Sequence, residues 1–201
     1  LHEIQYGHIR RPAHRSMPYD ADRFEVSNYR WTALTEEGRG CAVLNDCKYG
    51  VDVLGDTISL TLLRSPLAPD MRADQGRQEF TYAFTAWNGP FASSPLVREA
   101  YALNVPPLTV PGRAVERSLF AVDAENIVVD TVKCAEDGSG DVVVRLVETK
   151  RTATRCRLTT TLPVGEVIQT DMLENSLAPL ASAGGQVTLE FRPFEVKTLR
   201  L

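Results

Sequence analysis

Short runs in which apolar and polar residues alternate, separated by turn-forming residues, recur along almost the whole chain, and helical periodicity is nearly absent. That pattern predicts an all-β fold of antiparallel sandwich type. Residues 1–9 alternate, with Ile4, Tyr6 and His8 expected on one face, before a long loop carrying Pro12 and Pro18. Between 22 and 34 the apolar phase changes, from Phe24 and Val26 to Tyr29, Trp31 and Ala33, which predicts a bulge or bend near Ser27-Asn28. The run Cys41-Ala42-Val43-Leu44 reads as a central strand. It ends in Asn45-Asp46-Cys47-Lys48-Tyr49-Gly50, an abrupt packet of hydrogen-bonding groups.

Strands are expected next at 51–54 and 57–64 around a Gly55-Asp56 turn, and again at 78–88 with Phe80, Tyr82 and Phe84 inward. Residues 65–77 form the longest structureless segment, a length that in a compact domain is usually functional or disordered. Ser94 as N-cap and Pro95 at the first helical position predict a short helix over 96–103. Val105-Pro106-Pro107 and Pro111-Gly112 then make a stiff linker, because proline fixes φ and supplies no donor. The expected organisation is a β-sandwich subdomain over 1–104, a linker over 105–117 and a small sandwich over 118–201. In the last, strands are expected at 118–122, 126–134, 141–149, 155–162, 166–170, 186–191 and 194–201. Asp137-Gly138-Ser139-Gly140 and Ala183-Gly184-Gly185 are turns. That strand count and size suit an immunoglobulin-like sandwich without its cysteine–tryptophan core.

The 201 residues are 43% hydrophobic and 24% charged, ordinary values for a soluble globular protein. A net charge of −4 without a basic stripe argues against a nucleic-acid partner. No apolar run approaches the roughly 20 residues that span a bilayer, so no membrane partner is expected. The start lacks a signal peptide's basic and apolar regions and is already strand-like, which reads as a cut from something longer. Cys41, Cys47, Cys134 and Cys156 form no CxxC pair, which fits reduced thiols in a cytoplasmic protein.

Few residues offer chemistry. His2, His8 and His14 recur at even spacing, and His2 and His8 would share a strand face, but no acidic ligand set or HExxH accompanies them. There is no GxSxG elbow, P-loop or dinucleotide glycine pattern. A glycosidase needs two carboxylates at a fixed separation, and a sequence cannot pair them. The packet at 45–50 supports two readings. In one it is a capped turn, with Asn45 or Asp46 bonding the backbone and Gly50 at positive φ. In the other Asp46 accepts from sugar hydroxyls, Lys48 donates, and Tyr49 packs a pyranose ring. Arg77 and Glu79 either pair across a strand end or serve the same ligand. Trp31 and Trp87 could be sugar platforms, though tryptophan in an alternating strand is usually core.

Glu3-Ile4-Gln5-Tyr6-Gly7-His8-Ile9-Arg10-Arg11-Pro12, Arg23-Phe24-Glu25-Val26, Leu44-Asn45-Asp46-Cys47-Lys48-Tyr49-Gly50, Leu62-Leu63-Arg64-Ser65-Pro66, Gly76-Arg77-Gln78-Glu79-Phe80-Thr81-Tyr82 and the closing Phe191-Arg192-Pro193-Phe194-Glu195-Val196 occur in this order. Together they resemble the C-terminal β-sandwich region of cytosolic-type α-mannosidases of glycoside hydrolase family 38. The sequence departs from that pattern in Arg15-Ser16-Met17-Pro18-Tyr19 and in glutamine at position 78.

The resemblance implies the later part of a larger sandwich followed by the small one, and an apolar face that the intact enzyme covers. It implies an enzyme, a retaining hydrolase of terminal α-D-mannosides. Its nucleophile and divalent metal, zinc or cobalt, would lie in an N-terminal catalytic domain of the same polypeptide. No catalytic residue carries over to this chain, which alone is expected to be inactive. The chain would scaffold that domain and line the cleft for a mannose-containing oligosaccharide. Asn45, Asp46, Lys48, Tyr49, Arg77 and Glu79 are the candidate substrate-binding residues. The alternatives are a free-standing carbohydrate-binding or adhesin-like module and a structural sandwich that forms a homo-oligomer.

Overall fold

The computed structural model describes every residue except Ala114, and its chain divides into two compact units, Leu1–Thr109 and Val110–Leu201. The linker expected over 105–117 includes Ala114, so that position lies outside the described residues. Both units are built of antiparallel strands, in keeping with the all-β expectation.

In the first unit β1 (His2–Ile4) and β2 (Gly7–Ile9) form a hairpin. A short helix α1 (Pro18–Asp22) follows, then β3 (Val26–Ser27), β4 (Trp31–Thr35) and β5 (Arg39–Asn45). Next come β6 (Gly50–Leu54), β7 (Thr57–Leu60), β8 (Tyr82–Asn88) and a second helix α2 (Leu96–Asn104). One sheet has the order β2-β1-β4-β5-β8 and a smaller one the order β3-β6-β7. Directly paired residues of an antiparallel ladder share a face. Trp31 pairs Leu44, Ala33 pairs Ala42 and Trp87 pairs Gly40, and all but the glycine are buried there. Helix α2 covers this face with Leu96, Val97 and Ala100, packing on β5. Gly40 is required, because a β-carbon would enter the Trp87 indole.

Several local expectations give way to tertiary geometry. Residues 1–9 are no single strand: Tyr6 takes a φ of 54° at the hairpin turn. Glu3 therefore faces His8 while His2 faces Ile9, and the two histidines lie on opposite faces. The expected loop before residue 20 contains α1, with Pro18 in its first turn and Asp20 Oδ2 accepting from Ser16 N and Met17 N at 3.1 and 3.0 Å. Phe24 is exposed, not strand core. The largest inversion is in β8, where Tyr82 and Phe84 are 60% and 70% exposed and Ala83, Thr85 and Trp87 face inward. Register with Ala42 and Leu44 fixes the parity, and a slip of one residue flips every side chain. The helix begins at Leu96 as expected, with Pro95 at its N-cap position, and the Ser94 hydroxyl donates to Phe91 O at 2.8 Å.

The second unit holds β9 (Phe120–Val122), β10 (Ile127–Cys134), β11 (Val142–Glu148), β12 (Thr154–Thr160) and β13 (Val167–Thr170). They are followed by β14 (Ser176–Leu180), β15 (Ser182–Ala183), β16 (Gln186–Phe191) and β17 (Val196–Arg200). Two sheets, β10-β11-β17-β13-β14 and β15-β16-β12-β9, enclose a core that includes Leu146, Leu158, Leu189, Phe191 and Leu199. Fully burying each such side chain contributes about 1.5–3 kcal/mol. All seven expected strands form, and β14 and β15 are additions. Pro179 disguised β14, which sits at a sheet edge, where a missing donor is tolerated. The turns at 137–140 and 183–185 join β10 to β11 and β15 to β16, with positive φ at Gly138, Gly140, Gly184 and Gly185.

A carboxylate organises one end of this sandwich. Glu148 is fully buried and accepts from Asn126 Nδ2 at 2.9 Å, Lys150 N at 2.7 Å and Phe194 N at 2.8 Å. These bonds hold the chain where Phe194 takes a φ of 60°. Glu148→Ala strands those donors and should cost about 3 kcal/mol or more, seen as a lower denaturation midpoint by far-ultraviolet circular dichroism.

His2 allows a second check. The residue is 3% exposed, and burial, with a smaller push from Arg11, holds its pKa down at about 3. The unfolded imidazole takes a proton near 6.5, so between that pH and about 3 only the unfolded state is protonated. Stability is full above pH 6.5 and falls as pH drops through this window. His2→Gln, in acid denaturation followed by tryptophan fluorescence, should remove the part of the slope due to one proton.

Candidate functional site

Strand β5 is paired on both sides, to β4 and to β8, and the chain leaves it at Asn45. Asn45 is 1% exposed, and its carboxamide is the centre of a closed set of bonds. Nδ2 donates to Asn28 Oδ1 at 2.9 Å and to Tyr29 O at 3.2 Å, while Oδ1 accepts from Lys48 N at 2.7 Å. Asn28, also buried, returns Nδ2 to Lys48 O at 3.5 Å, and its backbone N donates to Tyr49 O at 2.9 Å. From below, Asn104 Nδ2 at the end of α2 donates to Asn45 O at 3.1 Å. Segment 46–49 is thus a turn held by two buried amide side chains.

Asp46 fixes a second piece of chain. Its N donates to Thr81 O at 3.2 Å and its Oδ2 accepts from Thr81 N at 2.9 Å. Burial works to raise the pKa of this carboxyl, but the bonds from Thr81 outweigh it and hold the pKa below the ordinary value. Oδ1 is shielded from solvent, and the Cys47 thiol bonds the same carboxylate, which raises the thiol's pKa. Lys48 Nζ lies over the Phe80 ring, 4.7 Å from its centroid. Asp74, whose carboxylate accepts from Ser65 N and Arg64 N at 2.7 and 2.9 Å, adds a negative charge that Lys48 feels.

Gly50 does not take a positive φ, contrary to the turn expectation. A close approach explains the residue instead: a β-carbon would meet Glu25 Oε1 at 2.6 Å. That carboxylate also accepts from Thr61 Oγ1 at 2.5 Å and pairs with Arg64 at 2.9 Å.

Around the turn, rings stand at the surface in two stacked pairs. Tyr29 and Tyr49, 39% and 51% exposed, have centroids 5.8 Å apart, and Phe80 and Tyr82 have theirs 6.4 Å apart. The Arg30 guanidinium lies against Tyr29 and Tyr101 and is anchored by Glu3 at 2.7 Å. Of the six candidates from the sequence, Asn45, Asp46, Lys48 and Tyr49 share one turn, against which the chain leading into β8 runs. Arg77 and Glu79 pair with each other at 2.5 Å, both largely in solvent, and only the Glu79 carbonyl approaches, 4.0 Å from Cys47 Sγ. Trp31 and Trp87 are buried in the core. Sequence reasoning missed Asn28 and Tyr29; the phase change near Ser27-Asn28 was the one signal of them.

Among the described residues, no group of three His, Cys, Asp or Glu side chains could hold a metal ion. The four cysteines are free thiols, and among the described residues no helix is long and apolar enough to cross a membrane.

Residues 2–72 match the family description "Glycosyl hydrolases family 38 C-terminal domain", and residues 126–199 match "Glycosyl hydrolases family 38 C-terminal beta sandwich domain". The chain is 42% identical to human alpha-mannosidase 2C1 over 208 residues, covering all of itself and 20% of that protein. It is 37% identical to alpha-mannosidase G of Dictyostelium discoideum and 30% identical to an alpha-mannosidase of Saccharomyces cerevisiae. It thus spans about a fifth of the length of these relatives. A crystal structure of an alpha-mannosidase from Enterococcus faecalis superposes with a TM-score of 0.75 at 21% identity, over 99% of this chain and 24% of that one, which shows a shared fold. Two C-terminal models of one family, matched in order along a chain wholly aligned with these relatives, show that it belongs to glycosyl hydrolase family 38, as its C-terminal β region.

Proposed function

We propose that this chain is the non-catalytic C-terminal part of a cytoplasmic, retaining α-mannosidase that hydrolyses terminal α-D-mannosides. The observation that carries the reading is the alignment of the entire chain with about a fifth of proteins named alpha-mannosidase. The nucleophile and a divalent metal, zinc or cobalt, belong to the polypeptide N-terminal to it. The described residues of this chain gather no ligand set that fits such an ion. Free thiols are consistent with a cytoplasmic setting. In this reading 1–104 completes a larger sandwich, 105–117 links, and 118–201 closes the enzyme.

The turn at 45–49 serves the cleft that binds the mannose-containing oligosaccharide. Its groups divide by the bonds they make. Asn45, wholly buried, and Asp46, spent on Thr81, position the turn. Lys48 donates to sugar hydroxyls, and Tyr49, backed by Tyr29, offers a ring face to the C–H side of a pyranose. Arg77 and Glu79 form a polar rim whose pair opens toward the same ligand.

The 201-residue chain alone should show no turnover of an aryl α-mannoside; metal-dependent hydrolysis by it would remove the reading. In the full-length enzyme, Tyr49→Ala should raise KM about 10-fold with a smaller change in kcat, the size of a lost aromatic contact. Lys48→Met should act in the same direction. If both variants keep wild-type KM and kcat, the turn is structural only. Saturable sugar binding by the isolated chain would favour a free-standing carbohydrate-binding module.

A further inference from the structure

The edges of the four sheets are unequally protected. An open edge exposes a row of unpaired N–H and C=O groups, and soluble proteins blunt it by shortness, charge, proline or a bulge. The edge strands here are β2 and β8, β3 and β7, β10 and β14, and β15 and β9. Of these, β2, β3, β7, β9 and β15 have at most 4 residues. β10 carries Asp130 and Lys133 and a break in register after Val129. β14 carries Pro179 and lies across from a register break at Gln169/Thr170. β8 has none of these devices. It runs for 7 residues, Tyr82-Ala83-Phe84-Thr85-Ala86-Trp87-Asn88, without charge, proline or any interruption of its register with β5.

The direction of its free groups follows from the ladder. Asp46 N donates to Thr81 O, and Gly89 N donates to Gly38 O. Hydrogen-bonded pairs alternate along an antiparallel ladder, so Ala83, Thr85 and Trp87 exchange bonds with β5. The N–H and C=O groups of Tyr82, Phe84 and Ala86 point the other way, to a side where no described strand lies. Their side chains share one face of the sheet, and the rings of Tyr82 and Phe84 are 60% and 70% exposed there. An uncharged strand of unbroken register, with outward amides and two bare rings, is a ready template for strand addition.

We propose that the outer edge of β8 is a docking seam for a β-strand contributed by the same polypeptide upstream of this region, which extends the sheet and covers Tyr82 and Phe84. The inference rests on the reading of the chain as the C-terminal part of a longer mannosidase. This chain aligns in full with 20% of human alpha-mannosidase 2C1, and both matched family models are C-terminal domains, so such a polypeptide supplies ample chain ahead of it. A tethered strand also meets the edge at an effective concentration in the millimolar range, above that of a second copy in dilute solution. An edge covered in every molecule needs no gatekeeping charge, and β8 has none.

Hydrogen exchange on the full-length polypeptide, read residue by residue by mass spectrometry, tests the seam alongside an aryl α-mannoside assay of the same preparation. The outward amides of Phe84 and Ala86 should exchange on the order of 100-fold more slowly than unprotected amides, like the inward ones of Ala83 and Thr85. Ala86→Pro removes one outward donor and leaves the ladder to β5 intact. It should speed exchange at Phe84 and Asn88 about 10-fold while Ala83 and Thr85 stay protected, a split that general misfolding does not produce.

Fast exchange at Phe84 and Ala86 beside slow exchange at Ala83 and Thr85 overturns the seam, whatever the assay reads. Protection that disappears on dilution overturns it in favour of a second copy. Protection independent of concentration, in a polypeptide that turns over no mannoside, supports the seam and overturns the proposed function.

Discussion

A buried carboxamide at the end of a doubly paired strand holds the surface of the first unit in place. Asn45 cannot be replaced by an apolar residue without stranding donors and acceptors on two segments, 28–29 and 48, and its backbone carbonyl ties the strand end to the end of α2. Each such bond has a modest net value, but a buried group left unpaired costs about 1–3 kcal/mol. The turn that follows is therefore rigid for a reason inside the core. The groups at its tip, half-buried Lys48 and exposed Tyr49, are presented at fixed positions because that clamp is shielded from water.

Glu148 solves the same problem in the second unit by different means. A carboxylate takes the place of the amide and collects a side-chain donor and two backbone N–H groups from separate stretches of chain. In both units one polar side chain at a strand end fixes loops that the apolar core does not reach. Hydrophobic burial is non-directional and sets the layers. These directional bonds decide where the connecting chain runs.

Edge chemistry separates the two units. Every long edge of the second is interrupted by a bulge, and charge or proline accompanies it, as expected of a sandwich that meets solvent on its rims. The larger sheet of the first unit ends in β8, whose outward rings and amides carry no such protection. The family resemblance implied an apolar face needing cover, and the structure has bare rings on the outer face of β8.

Alternation and turn residues alone determined that the chain is β-rich and antiparallel. They also marked all seven strands expected of the second unit and the turns at 137–140 and 183–185, because period-two patterning and glycine at positive φ are local properties. The family motifs were equally legible as strings of residues. Parity was not: Phe80, Tyr82 and Phe84 look like a core face, and only pairing with Ala42 and Leu44 on β5 turns Tyr82 and Phe84 outward. The hairpin at Tyr6, the helix at 18–22 with Asp20 closing its own N-terminus, and strand β14 behind Pro179 are local as well, but no apolar–polar alternation marks them. The packet at 45–50 shows the division most plainly. Its composition fitted a turn better than a sugar contact, and tertiary structure assigned the inner residues to the turn by burying Asn45 against Asn28 while leaving Tyr49 at the surface. Burial and partner choice are properties of the folded chain, and no local pattern encodes them.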